Sequence, residues 1–280
     1  MFKKLAKKVL SKNLALNTMV YSIKFELNHR QDFSNLDNDE KTILSQIKKY
    51  GYYVIPDFFD EEYCKNCILD IDDMLKNKKE FIREDSAFDY RIFGAEYLSE
   101  NIKQFADNEF FNKLANAYNS KPTTNAFTLA ARIEARDQEF GSGGSWHRDS
   151  FLRQFKSTVY LNDVDESNGP FQLLINSHKL SHTIEDEKTA NMDSMESRFD
   201  VETVNKLVNK KPDRLKTFTG KAGTVIFVDT SCIHRGSPLK KGVRYALTNY
   251  FFERNQITPH LIEHFSPLVS PKKVLEKYQN

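Results

Sequence analysis

Residues 141–150 read G-S-G-G-S-W-H-R-D-S. His147 and Asp149 stand two residues apart here, directly after a glycine-serine run. In an extended chain, residues i and i+2 point to the same face. An imidazole and a carboxylate therefore leave the strand side by side, close enough to grip one metal ion. A three-point grip needs one more ligand, and the segment C-I-H-R-G supplies a candidate in His234. Two His and one carboxylate on one face of an ion leave the opposite face open. That arrangement suits non-haem Fe(II) that must also bind a co-substrate and O2.

Working outward, the flanking sequence reads as strands. Residues 123–136 are rich in Thr, Phe, Leu and Ile and predict one long strand leading into the glycine loop. Residues 151–164 predict another, with Val159 and Leu161 on one face and Thr158, Tyr160 and Asn162 on the other. D-E-S-N-G-P at 165–170 is a turn by composition. Strands follow at 171–175, 215–219, 224–229 and 245–253, and residues 183–211, highly charged and poor in strand formers, read as a helical insertion between them.

Upstream, a helix is expected from about Asn38 or Asp39, then a strand, Y-G-Y-Y-V-I-P, ended by Pro56. Asp60 is an N-cap candidate, with Glu61 and Glu62 facing the positive end of a helix that runs to about Lys76. A short strand at 88–93 and helices around 96–106 and 108–119 complete the first half. A mixed first half and a strand-rich second half predict a mainly β protein with flanking helices (α+β), an antiparallel barrel or double sheet with helices packed outside it. With no internal repeat and no clear linker, the expected organisation is a basic N-terminal segment, residues 1–30, and a single domain, residues 31–280.

Composition sets the outer bounds. The chain of 280 residues is long enough for a full hydrophobic core. Its 22 Phe and 12 Tyr argue against disorder on a large scale. A net charge of +2 is too balanced to suggest nucleic acid as a general partner. Three Cys do not make a disulfide framework, so a reducing, cytoplasmic compartment is the simpler reading. Cys64 and Cys67 form a C-x-x-C, but no second pair completes a zinc set and the motif falls within a predicted helix, so they read as packing groups. No apolar run approaches the ~20 residues that span a bilayer. In residues 1–16, Phe2, Leu5, Val9 and Leu10 recur at helical spacing, with five lysines mostly elsewhere on the wheel. Such a helix either packs its apolar stripe on the main fold or touches an anionic membrane surface.

Several motifs together resemble the phytanoyl-CoA dioxygenase family. They are W-H-R-D at 146–149, Y-L-N-D-V-D-E-S-N-G-P-F at 160–171, S-H-K at 177–179, G-T-V-I-F-V-D-T-S-C-I-H-R-G at 223–236 and V-R-Y-A-L-T-N-Y-F at 243–251. The likeness runs from about Gly51 to Phe252 and is weakest at 83–122 and in the charged insertion. It implies a double-stranded β-helix, a cupin-like jelly-roll core, and a requirement for Fe(2+), 2-oxoglutarate and O2. By the family pattern His147, Asp149 and His234 are the iron ligands, and Arg244, ten positions after the distal His, holds the far carboxylate of 2-oxoglutarate. A guanidinium suits that task, being planar, bidentate and permanently charged. Thr158 is the candidate for a hydroxyl contact to the same end. Many relatives carry Ser two positions after the distal His, where this chain has Gly236. Retention of Asp149 argues for hydroxylation or a related oxidation, because related halogenases lack the carboxylate.

The resulting expectation is a dioxygenase that hydroxylates a C–H bond of a small molecule, lipid or glycan-type metabolite, releasing succinate and CO2. The competing reading is a non-catalytic jelly-roll module that binds a metal or sugar. Trp146 reads as core or pocket wall. Arg148 and Arg153 are either solvated or meet an anionic substrate, Cys232 reads as a buried thiol, and His178 as structural. Peripheral membrane contact through the N-terminal segment is the one macromolecular partner suggested, and nothing marks an oligomeric state.

Overall fold

A computed structural model describes residues 14–79, 82–86, 88–135, 144–193 and 196–265. Residues 1–13 and the run 141–143 lie outside the described residues. In chain order the elements begin with α1 (Leu14–Asn28), α2 (Asn38–Tyr50), β1 (Tyr52–Ile55) and α3 (Glu61–Asn77). Next come β2 (Arg83–Ser86), β3 (Asp89–Phe93), α4 (Glu100–Ala106), α5 (Glu109–Asn119) and β4 (Thr123–Glu134). The jelly roll continues with β5 (Trp146–His147), β6 (Phe155–Tyr160), β7 (Phe171–Leu174), α6 (Leu180–Ala190), β8 (Arg198–Phe199) and α7 (Val201–Lys210). It closes with β9 (Leu215–Phe218), β10 (Val225–Asp229), β11 (His234–Gly236), β12 (Val243–Glu253) and α8 (Pro259–Phe265).

The strands form two sheets in which every pairing is antiparallel. The larger sheet has the order β1-β10-β6-β12-β4-β3-β2 and the smaller β8-β5-β11-β7-β9. This is the jelly-roll core expected from the sequence. Local chemistry starts the helices where they were expected. The Asp37 carboxylate accepts from Glu40 N while the Glu40 side chain accepts from Asp37 N, a capping box at the start of α2. Asp60 caps α3 through Tyr63 N at 2.7 Å.

Strand alternation sends two kinds of side chain to opposite faces of the larger sheet. Phe155, Val159, Phe227, Leu247 and Phe251 pack outward against Ile47, Cys67, Ile71, Phe105 and Phe111 of the helices. Lys156, Thr158, Arg244, Thr248 and Tyr250 point inward, into the space between the sheets. The largest hydrophobic cluster thus lies outside the barrel, between sheet and helices, and a second one, with Ile226, Val228, Leu173 and Phe218, joins the two sheets inside it. The polar groups gather in the remaining part of the interior, around the cavity, where apolar burial alone gives no reason for them.

Three departures from expectation have local causes. The strand expected at 151–164 begins at Phe155 and ends at Tyr160, because the preceding residues are spent on a turn. Ser150 Oγ accepts from Leu152 N at 3.0 Å, and Gln154 N donates to Asp229 Oδ1 at 3.1 Å. The helix expected over 96–106 is split into a 3-10 turn, Ala95–Tyr97, and α4, which Ser99 caps through Ile102 N. Residues 183–211 contain a strand as well as helix: β8 pairs with β5 and adds an edge to the smaller sheet. Among the described residues no helix is long and apolar enough to cross a membrane.

One buried ion pair ties α6 to the start of β9. Arg214 Nη1 and Nη2 donate to the two Asp186 oxygens at 2.6 and 2.8 Å, and both residues are buried. Removing one partner strands the other charge in a poorly polarisable interior. Asp186→Ala is therefore expected to lower the unfolding free energy by about 3 kcal/mol or more. The double variant Asp186→Leu/Arg214→Met should recover most of that loss, and urea titrations of the three proteins check both outcomes.

Candidate metal centre

Two neighbouring strands of the smaller sheet bring the two histidines together. His147 on β5 and His234 on β11 are direct cross-strand partners, and their ring centroids lie 4.4 Å apart. Asp149 follows β5 at once, its N–H donating to Thr230 O at 3.0 Å. Its carboxylate stands between the imidazoles, with Oδ1 3.5 Å from His147 Nε2 and Oδ2 3.6 Å from His234 Nε2. One donor atom from each of the three residues falls within 4.8 Å of the others. They form the one such cluster of three or more His, Cys, Asp or Glu found among the described residues.

The ring orientations are set from behind. His147 Nδ1 lies 2.7 Å from Ser145 O, and His234 Nδ1 lies 2.9 Å from Cys232 O. A carbonyl oxygen only accepts, so each Nδ1 carries a proton and the neutral ring presents its lone pair at Nε2. Burial, and then the neighbouring His147, push the His234 imidazole down to about 3, so it is neutral over the whole physiological range. Burial works against the Asp149 charge, yet Lys156 and the two histidines hold the carboxyl well below its ordinary range. Two lone pairs and an anionic oxygen therefore converge on one point, which is the donor set of a divalent metal site. The residues present fit such an ion.

A cavity of about 160 Å³ opens on this cluster. Arg244 lines its wall from β12. Its guanidinium makes no hydrogen bond or salt bridge with any described residue. A Cβ at Gly236 would come within 2.9 Å of Arg244 Nη2, so the glycine leaves space that a serine would fill. Gly236 thus accommodates the guanidinium. Thr158 also lines the cavity and shares a hydrogen bond of 3.0 Å with Thr248 Oγ1. The structure brings His147, Asp149, His234, Arg244 and Thr158 to one cavity.

Other residues singled out in the sequence lie elsewhere. Trp146 is buried in a separate cluster with Leu174, Phe199 and Ile233. Arg148 and Arg153 are neither solvated nor in the cavity. Arg148 Nη1 donates to Ser177 O and Ser231 O, both at 2.7 Å, and Arg153 Nη2 donates to His29 O at 2.7 Å. Cys232 is buried against His178, with Sγ 3.1 Å from Nδ1, and His178 Nε2 bonds Lys48 O. Burial raises the thiols of Cys64, Cys67 and Cys232 well above the ordinary cysteine range, and all three are free.

Two residues at the centre were missed in the sequence. Lys156 Nζ donates to Asp149 Oδ2 at 2.6 Å. Its signal was its register, two residues before Thr158 on a strand whose even positions face inward. Asp229 is buried at the end of β10 and accepts from Tyr118 Oη, Gln154 N, Ser231 N and Ser231 Oγ at 2.6 to 3.1 Å. It anchors both the turn that follows Asp149 and the loop that leads to His234. Its contacts to Ser231 are local, but its role shows only through Tyr118 and Gln154, which come from two distant segments.

The chain matches the family model described as Phytanoyl-CoA dioxygenase (PhyH) over residues 47–242. No curated protein matches it. Among solved structures, EctD from S. alaskensis with bound Fe superposes with a TM-score of 0.61 at 16% identity, covering 81% of each chain. SnoN from nogalamycin biosynthesis, an epimerase solved with Fe3+, alpha ketoglutarate and nogalamycin RO, gives 0.57 at 13% identity, covering 77% of this chain and 84% of that one. HygX from Streptomyces hygroscopicus with nickel and 2-oxoglutarate gives 0.52 at 15%, covering 77% and 87%. At such identities the likeness establishes the shared fold.

The Asp229 anchor has a measurable consequence. Asp229→Ala should weaken Co(II) binding by about tenfold or more, the usual scale for groups that orient ligands from behind. Asp229→Asn, which keeps one acceptor oxygen, should lose less. Isothermal titration of the folded variants with Co(II) reads the difference.

Proposed function

The chain belongs to the phytanoyl-CoA dioxygenase family, and from that premise we propose how its residues divide the work. It is an Fe(II)- and 2-oxoglutarate-dependent dioxygenase. His147, Asp149 and His234 hold the iron, Arg244 takes the far carboxylate of 2-oxoglutarate, and Thr158 contributes a hydroxyl near that end. The reaction is hydroxylation of an unactivated C–H bond in a small molecule, lipid or glycan-type metabolite. The observation that carries this reading is the pairing, in one cavity, of a converging His-Asp-His set with a guanidinium that makes no hydrogen bond or salt bridge among the described residues.

Bound at these residues, ferrous iron with 2-oxoglutarate and O2 supplies an oxidant able to take hydrogen from a C–H bond, with succinate and CO2 as co-products. The protein's part is positional. The two Nδ1–carbonyl bonds fix the tautomer of each neutral ring, so that Nε2 carries the lone pair and is aimed inward. Arg244 offers a fixed two-pronged donor that orients a dicarboxylate. Phe88, Leu129, Ile133, Pro238 and Leu239 line the cavity with apolar surface that limits water and favours an organic substrate with hydrocarbon character. SnoN is described in complex with nogalamycin RO and EctD with 5-hydroxyectoine, so the shared fold accommodates small organic ligands of quite different size.

An anionic membrane surface is the proposed macromolecular contact. Val20, Ile23 and Leu27 of α1 are 43%, 47% and 61% exposed, and five lysines precede the helix at positions 3, 4, 7, 8 and 12. Apolar insertion and lysine attraction act together on such a surface.

Two experiments test these readings. His147→Ala and His234→Ala should each abolish 2-oxoglutarate-dependent succinate formation in the presence of Fe(II). Arg244→Met should raise the KM for 2-oxoglutarate on the order of 100-fold, from two charge-assisted bonds of about 1.5 kcal/mol each. Substrate-independent turnover measured by succinate release checks all three variants. Separately, the protein should float with vesicles containing phosphatidylglycerol, and Ile23→Glu/Leu27→Glu should stay at the bottom of the gradient. Equal flotation of both proteins would remove the membrane reading.

A further inference from the structure

The inner wall of the jelly roll carries a lysine beside the carboxylate that is read as a metal ligand. Lys156 sits on β6 between Tyr250 of β12 and Val228 of β10, and its side chain is 4% exposed. Lysine is almost never buried to this degree unless it is paired. Its partner is Asp149 Oδ2 at 2.6 Å, and its ammonium also lies 3.5 Å from the centroid of the Tyr250 ring. The carboxylate and the aromatic face together pin the ammonium in place.

A cation at this position works against the ion the cluster is built to hold. Two like charges a few ångström apart in a poorly solvated cavity repel strongly. The lysine must therefore serve something other than metal affinity. Each Asp149 oxygen faces one imidazole, Oδ1 toward His147 and Oδ2 toward His234. Left free, the carboxylate can reach an ion through both oxygens and take up an extra coordination position. The ammonium already occupies Oδ2.

We propose that Lys156 is a positioning residue that confines Asp149 to one-oxygen ligation and gives up metal affinity in exchange for affinity toward the dianionic co-substrate. The inference rests on the reading of His147, Asp149 and His234 as the iron site and goes beyond it. Two effects act in the same direction. Holding Oδ2 keeps open the positions that 2-oxoglutarate needs, and the positive charge attracts a dianion while it opposes a divalent cation. Loss of the ammonium should thus move the two affinities in opposite directions. General damage to the site lowers both together.

The test measures binding of Mn(II) alone, and then of 2-oxoglutarate to the Mn(II)-loaded protein under anaerobic conditions, by isothermal titration. The proteins are wild type, Lys156→Met, Lys156→Arg and His234→Ala. Lys156→Met is expected to bind Mn(II) about tenfold more tightly and 2-oxoglutarate about tenfold more weakly, the scale of effects from groups that contact a ligand side chain. Lys156→Arg, which keeps both charge and donor, should return both values toward wild type. If Lys156→Met does not fold, Lys156→Leu, which also removes both charge and donor, carries the same test. Unchanged affinities, or a fall in both together, would overturn the proposal. His234→Ala reports on the underlying reading alone. If it binds Mn(II) as wild type does, the metal site is misassigned, whatever the Lys156 variants show.

Discussion

Two imidazole lone pairs and a carboxylate oxygen aimed at one point repel one another unless a cation lies between them. The rest of the molecule is arranged around enforcing that convergence. Each ring is fixed by a backbone carbonyl on its far nitrogen, Ser145 O for His147 and Cys232 O for His234. Each carbonyl lies two residues before the histidine it orients. The same short loop geometry is thus used twice, on adjacent strands of the smaller sheet.

Precision at that point depends on packing some distance away. The larger sheet is stiffened from outside by a continuous aromatic and aliphatic layer shared with helices α2 to α5. That layer leaves the inner face free for polar work. Asp229 links the two sides: its carboxylate collects donors from α5, from the turn after Asp149 and from the loop before His234. Buried polar groups cost stability unless every donor and acceptor is met. Asp229 meets four donors at once, so a displacement of any of these segments loses hydrogen bonds. The arms of the site are in this way coupled to the core rather than carried on independent loops.

Much of this was legible in the sequence. His147 and Asp149 were readable as a pair because a spacing of two in extended chain places side chains on one face. His234 and Arg244 came into view through the motifs around them. The strands of the larger sheet apart from β2 were recovered, most clearly where outward residues alternate with inward ones. Less accessible were elements too short to show a period: β11 has three residues and β8 two. Arg148 and Arg153 were misjudged because a guanidinium can be buried on carbonyl oxygens alone, which composition does not reveal. Lys156 has no motif. It becomes meaningful only when its register beside Tyr250 and its reach to Asp149 are known, both products of tertiary pairing.

The proposed chemistry requires that one ferrous ion and one 2-oxoglutarate share the cavity framed by His147, Asp149, His234 and Arg244. The most direct measurement is an anaerobic titration of the Fe(II)-loaded protein with 2-oxoglutarate, followed in the visible spectrum. A weak charge-transfer band should appear, saturate at one equivalent and be missing when Asp149 is replaced by Ala. A folded, iron-loaded protein that shows no band, or a band that survives Asp149→Ala unchanged, would contradict the proposed chemistry.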